Sequence, residues 1–252
     1  MSLAQLLIRE AISNKRFERE VKKFKNISLK VSGVIVLLLL TISGGRTSKI
    51  VYMTGFESDD FEYGSFQVGP INGQNNWTWT NPGVNIITGL AKDAVYDGRQ
   101  ALRLGPPNSV RGAILQLTPV EGIVTIEQWI KPGEYKEHGG MIYYFGSSGD
   151  VTAHIVLAAD GYVRVIDGNH MASIRSNYTW KVGEWLRLTI ILDHNCCRYD
   201  LLVNGKPAIT NANFRNQAHA LQKIIYYGSD DGGSDYCVMV DNLKIFTCRP
   251  WW

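Results

Sequence analysis

The sequence predicts an all-β fold over residues 46–252, a two-sheet antiparallel sandwich of the jelly-roll kind, preceded by a helical signal or anchor segment over residues 1–45. Three observations lead there. After Gly45 the chain breaks into about a dozen short runs rich in β-branched and aromatic residues. Asp-Gly, Asn-Gly and Gly-Gly pairs punctuate those runs (72–73, 97–98, 139–140, 160–161, 167–168, 204–205, 232–233). No stretch of the body repeats apolar residues at helical spacing, which argues against alternating strands and helices.

In chain order the candidate strands are Ile50–Phe56, Val84–Thr88, Gln100–Leu104, Gly112–Leu117, Ile123–Ile130, Met141–Phe145, Ala153–Leu157, Tyr162–Ile166, Trp185–Leu192, Tyr199–Val203, Lys223–Tyr227 and Tyr236–Phe246. Asp160-Gly161 between two such runs predicts a hairpin, with positive φ at both turn centres. The period of two is plainest in Trp185–Leu192, where Leu186, Leu188, Ile190 and Leu192 share one face and Arg187 and Thr189 the other. A domain of about this size buries roughly 70% of its unfolded surface without needing covalent staples.

The N-terminal segment is different in kind. Val31–Ser43 is an uncharged apolar run of about a dozen residues, within the roughly 7–15 of a signal-peptide core and short of the roughly 20 of a membrane span. Ser43, Gly44 and Gly45 follow with the small side chains that a signal peptidase accepts. Met1–Lys30 is long for such a leader and has the pattern of a basic amphipathic helix. Cleavage near Gly45, a start site nearer Leu29 or Val31, and a retained short anchor are the readings it allows. Each puts residues 46–252 outside the cytoplasm, because the basic flank stays inside.

Charge divides along the same boundary. Residues 1–45 hold eight Lys and Arg against three Asp and Glu, whereas the rest hold 18 against 20. The body therefore lacks the basic footprint of a nucleic-acid binder.

Five motifs carry a resemblance. GFESDDFEYGSFQVGPINGQNNWTW (55–79) is an entry strand with its loop, TIEQWIKP (125–132) a central strand and WKVGEWLRLTIILD (180–193) a Gly-x-Trp strand ending in Asp. RYDLLVNGKP (198–207) is a hairpin, and VDNLKI (240–245) a closing strand. In this order they resemble the concanavalin A-like lectin/glucanase superfamily, and within it the laminin-G-like (LamG-type) jelly rolls of secreted bacterial proteins. The resemblance covers nearly all of residues 50–248 and implies fold more than activity.

Enzymes of that superfamily set the test for catalysis. Retaining glucanases of this fold carry a Glu-x-Asp-x-(x)-Glu strand that places two carboxyls roughly 5–5.5 Å apart. Glu121 and Glu127 have no acidic partner at that spacing. Gln128-Trp129 and Tyr143-Tyr144 do not reproduce the Gln-x-His and Tyr-rich strands of alginate lyases, and Gly146–Gly149 reads as a turn. No His/Cys metal spacing occurs. The expectation is a chain that is not an enzyme.

The resemblance also implies one structural Ca²⁺, held by an acid near the first strand and an Asp on the last, here Glu57 and Asp241. Alternation puts Asp241 on one face with Met239, Leu243 and Ile245, where a carboxylate is costly unless paired or metal-bound. The alternative is a carboxylate that accepts backbone hydrogen bonds at the sheet edge. The Asp230–Asp235 loop lacks the trailing Glu of an EF-hand and reads as a solvated turn.

For a ligand, the aromatic residues stand out. Trp77 and Trp79 share a side when extended, close to Asn75, Asn76 and Asn81. Tyr143/Tyr144 and Tyr226/Tyr227 each send one ring into the core and one outward. With Tyr144 and Tyr227 taken as the outward rings, the candidate ligand residues are Trp77, Trp79, Asn76, Tyr144 and Tyr227, since sugar recognition sets aromatic faces against C–H groups with amides nearby. In an exported chain the even count of cysteines suggests disulfides, from the Cys196/Cys197 pair to Cys237 and Cys248. The expected function is a secreted or envelope carbohydrate-binding module whose partner is a glycan or cell-surface polysaccharide. The alternatives are a protein-binding adhesive module tethered by the N-terminal segment, and a hydrolase or lyase of the same fold.

Overall fold

Residues that alternate in sequence alternate between layers in the computed structural model, which describes residues 48–58, 65–80, 83–88, 95–104, 112–133, 138–168, 172–228 and 238–247. The N-terminal segment, Cys237, Cys248 and the Asp230–Asp235 loop lie outside these residues. The described residues form strands β1 (Lys49–Thr54), β2 (Gly69–Pro70), β3 (Trp77–Trp79), β4 (Val84–Thr88), β5 (Gln100–Leu104), β6 (Gly112–Glu121), β7 (Ile123–Lys131) and β8 (His138–Gly146). They continue with β9 (Val151–Ala158), β10 (Tyr162–Asp167), β11 (Ala172–Thr179), β12 (Leu186–Asp193), β13 (Arg198–Val203), β14 (Lys206–Asn213), β15 (Ala220–Tyr227) and β16 (Val238–Thr247). Among the described residues no helix is long and apolar enough to cross a membrane.

Two antiparallel sheets result. One runs β14-β13-β12-β7-β16-β5-β4-β2, with β1 also paired to β16, and the other runs β11-β10-β9-β8-β15-β6-β3. Ile126, Ile130, Leu188, Ile190 and Leu201 from the first pack with Ile142, Ile155, Val165, Leu115 and Ile224 from the second in one buried cluster. Each such side chain contributes roughly 1.5–3 kcal/mol when fully buried. All twelve candidate strands are present, and the fold is the all-β sandwich that the sequence predicts.

Two local expectations need correction. Gly139-Gly140 is not a turn but lies inside β8, where Gly139 leaves room for the Trp180 ring, whose Cη2 would be 2.4 Å from an added Cβ. Asp160-Gly161 does close a hairpin, but only Gly161 has positive φ (78°). Both centres are positive in the Asn204-Gly205 turn (51° and 78°) between β13 and β14.

A buried polar bridge crosses the interior. Gln128 on β7 faces inward with no exposed surface, and its amide spans the two sheets. Its Nε2 donates to the Tyr144 hydroxyl at 2.8 Å, and its Oε1 accepts from the Tyr226 hydroxyl at 2.5 Å. The Trp77 ring stacks on Tyr226 and donates from Nε1 to the Tyr52 hydroxyl at 2.9 Å. Buried polar groups need such partners, since a lone one costs about 1–3 kcal/mol.

Candidate functional site

With Tyr144 and Tyr226 turned inward, strict alternation turns Tyr143 and Tyr227 outward on the seven-stranded sheet. Tyr143 lies opposite Ile225 on β15 and His154 on β9. Its ring stacks on His154 with centroids 3.9 Å apart and meets the edge of Tyr227 at 5.5 Å. Phe145 lies along the same strand, 6.3 Å from Tyr143, and Lys223 Nζ sits 4.1 Å above its ring. Burial pushes both outward phenols up from their ordinary pKa. Tyr227 adds to the effect on Tyr143, and Arg215 opposes it. Both stay neutral hydrogen-bond donors at any physiological pH. The result is a platform of half-buried rings bordered by cationic groups, a surface suited to flat ligands with C–H faces and hydroxyl rims.

Gly112 on β6 is part of this platform, although it has no side chain. It lies opposite Tyr227, and an added Cβ would meet Tyr227 Cε1 at 2.9 Å and Thr80 Cγ2 at 3.1 Å. The Tyr227 ring occupies the space over the glycine.

The sequence-predicted ligand residues are only partly brought together. Tyr227 is on the platform. Tyr144 is not, because its ring is fully buried and its hydroxyl is held by Gln128. Trp77 is likewise buried, stacked on Tyr226, so its face is spent on the core. Trp79 points the same way and packs partly against the core. Asn76 is exposed, but in the left-handed turn that enters β3 (φ 66°), at the far edge of the sheet from β8. Tyr143, His154, Phe145 and Lys223 were missed as site residues. The Tyr143-Tyr144 pair carried the signal, but its parity is settled by which hydroxyl reaches Gln128.

Asp241 and Glu57 converge on one loop. Asp241 does not share a face with Leu243 and Ile245: a bulge at Asn242 (φ 47°) inserts a residue, so Asp241 pairs with Trp129 on the outer face while Leu243 and Ile245 turn inward. The 95–100 loop covers it completely. Asp241 Oδ2 accepts the amides of Tyr96 (3.0 Å) and Asp97 (3.2 Å), and Oδ1 accepts that of Asn242 (2.7 Å). Glu57 Oε1 accepts the amides of Arg99 (2.7 Å) and Gln100 (3.0 Å). Tyr96 then lies flat on Trp129, with centroids 3.6 Å apart. Burial, with repulsion from Glu57 as a smaller cause, pushes the Asp241 carboxyl up to about 7 against the pull of its amide donors.

The donor set fits calcium in part. Both groups are hard oxygen donors that repel each other, which a cation would relieve. Glu57 Oε2 takes no hydrogen bond among the described residues, yet amides occupy Glu57 Oε1 and both oxygens of Asp241, and Ca²⁺ takes 6–8 oxygens. Among the described residues no three His, Cys, Asp or Glu side chains form a metal-holding group. Cys196 and Cys197 are free thiols, so the expected disulfides from this pair are not formed; they sit in the tight turn between β12 and β13 with Cys197 at φ 54°.

Comparison with known proteins agrees with this architecture. No curated protein matches the chain by sequence. Among solved structures, a sialidase superposes with a TM-score of 0.52 at 13% identity, covering 68% of this chain and 17% of that one. Domain 4 of AbnA, a GH43 extracellular arabinanase from Geobacillus stearothermophilus in complex with arabinotriose, gives 0.46 at 15% over 79% of this chain and 92% of that one. The botulinum neurotoxin serotype D ligand-binding domain in complex with N-acetylneuraminic acid gives 0.45 at 15% over 68% and 46%. At 13% identity the likeness to the sialidase is one of fold, and the chain spans about a sixth of that protein. The family described as the concanavalin A-like lectin/glucanases superfamily matches over residues 108–249, and this chain belongs to it.

Proposed function

We propose that this chain is a non-catalytic carbohydrate-binding module whose ligand lies across Tyr143 and Tyr227 on the outer face of the seven-stranded sheet. The supporting observation is the ring cluster itself: the partly exposed phenols of Tyr143 and Tyr227 with Phe145, gathered round Tyr143, which stacks on the buried His154 imidazole, with Lys223 at the edge. Nothing in the core requires aromatic residues there, and sugar rings bind such faces through their C–H groups. Among the described residues the ring and hydrogen-bond partners of Tyr143 and Phe145 are phenol, imidazole, ammonium and the Met141 thioether, a set that favours binding over acid-and-nucleophile chemistry. A glycan array with wild type, Tyr143→Ala and Tyr227→Ala tests the reading. A hit that both variants lose supports it; a hit that both retain places the ligand elsewhere. Release of reducing ends from the best hit would overturn the non-catalytic part.

Export and calcium complete the reading. The secreted form is expected to begin near Gly44–Thr47, which N-terminal sequencing of the native protein checks; full-length chain in membranes would instead show a retained anchor. A Ca²⁺ ion shared by Glu57 and Asp241 would tie the first strand to the last. The mutual repulsion of the two carboxylates supports it.

A further inference from the structure

A cavity of about 640 Å³ opens at one end of the sandwich, lined by Glu121, Gly122, His194, Asn195, Cys197 and His219. It is separate from the sites above. Trp129, the partner of Asp241, lies six residues along β7 from Ile123, which at about 3.3 Å per residue is roughly 20 Å away. Tyr143 is on the sheet face, three residues before the end of β8 at Gly146.

His194 is the informative side chain. It is 4% exposed, held edge-on by Phe214. Its Nδ1 lies 2.9 Å from the Ala218 carbonyl oxygen, which can only accept, so Nδ1 carries the proton. Nε2 is then a bare acceptor, and it has no hydrogen-bond partner. Burial, with His219 adding to it, lowers the imidazole pKa and keeps the ring neutral. A buried acceptor left unpaired is costly, so the site is incomplete as it stands. What completes it must donate a hydrogen bond. Glu121 adds a second acceptor, the Asn195 amide can give or accept, and among the described residues no Lys or Arg lines the cavity. Anions are disfavoured. Among the described residues Glu121, His194, Cys197 and His219 do not form a metal-holding group, so a metal ion is disfavoured too.

We propose that this cavity is a second ligand site that takes an uncharged saccharide unit, one hydroxyl donating to His194 Nε2 and others to Glu121 and Asn195. The proposal rests on the glycan reading for the class of ligand but not on the Tyr143–Tyr227 platform.

Long-range ¹H–¹⁵N spectra of the five imidazoles in the full chain test it, with His194→Phe used only to assign the His194 signals. The probes are maltotriose, chitotriose, xylotriose and trigalacturonate, with Zn²⁺ as a control. The expected result is a saturable shift of His194 Nε2 with at least one uncharged trisaccharide, about tenfold weaker affinity for trigalacturonate, and the same shift in Tyr143→Ala. No shift with any uncharged trisaccharide overturns the proposal, as does a shift with Zn²⁺ alone. Loss of array binding in Tyr143→Ala with no His194 response would leave the platform standing and remove the second site. A His194 response with array binding untouched by Tyr143→Ala would do the reverse.

Discussion

The Tyr227 ring lies over Gly112 on the neighbouring strand, so closely that a single methyl group on the glycine would come within 2.9 Å of Tyr227 Cε1. The contact atom belongs to a side chain, so the ring can swing away, but it cannot stay where it meets the edge of Tyr143. Gly112→Ala is therefore expected to act on binding more than on stability. Affinity for the array hit should fall about tenfold, the equivalent of about 1.4 kcal/mol, while Tm changes by a few degrees. Titration and a thermal melt check this; unchanged affinity would show that Tyr227 does not need its present position.

Adjacent tyrosines should behave oppositely. Tyr143→Ala is expected to abolish ligand binding with little change in stability. Tyr144→Ala removes a fully buried ring and should cost about 3–5 kcal/mol. Tyr144→Phe keeps the ring but deprives Gln128 Nε2 of its partner, for about 1–3 kcal/mol. Chemical denaturation of the three variants beside binding assays separates them. A Tyr144→Phe variant as stable as wild type would mean that the bridge is not needed.

The Asp241 carboxyl makes stability depend on pH. Its folded pKa, about 7, is above its ordinary value of 3.8, so between these the folded state holds a proton that the unfolded state has lost. The contribution is complete below about pH 4, declines as pH rises through 4–7 and is gone above. Three units set an upper size on the order of 4 kcal/mol. For a domain of about 200 residues, the metal-free protein should melt roughly 5–10 °C lower at pH 8 than at pH 5. Asp241→Asn should flatten that slope, and equal slopes in the two proteins would refute the assignment.

A cation would act on the same corner with the opposite pH preference, because it needs both carboxylates ionised. If Ca²⁺ binds Glu57 and Asp241, calcium at a hundredfold excess over Kd adds about 2.7 kcal/mol at pH 8. That is a rise of roughly 5–10 °C over EDTA, and magnesium should not replace it. Little effect is expected at pH 5, and none in Asp241→Asn. Superimposable melts in calcium and EDTA at pH 8 would leave an amide-accepting clamp.

The sequence made the interior of the sheets legible and their borders obscure. All four strands that the hydrophobic pattern missed, β2, β3, β11 and β14, stand at the four ends of the two sheets. An edge strand has one neighbour and little apolar cover, so KPAITNAN in β14 and the polar-rich β11 show no period of two. The site was half legible for a related reason. Two consecutive tyrosines guarantee one outward ring but not which one, and the choice depends on Gln128, 16 residues before Tyr144 and 98 before Tyr226. The placement of Asp241 failed on a single residue, since the bulge at Asn242 breaks the alternation that the reading assumed.

That dependence on Gln128 gives the core a role in writing the surface. A slip of β8 or β15 by one residue would exchange Tyr143 with Tyr144, or Tyr226 with Tyr227, at no loss of aromatic area inside. What resists the slip is the rest of each strand, since in β15 it would turn Lys223 from the outer face into the core. The amide of Gln128 adds a demand for distance, a hydroxyl from each strand within hydrogen-bond reach at the midplane. Charge outside and amide inside act together as a parity check on which pair of rings the protein shows to the outside.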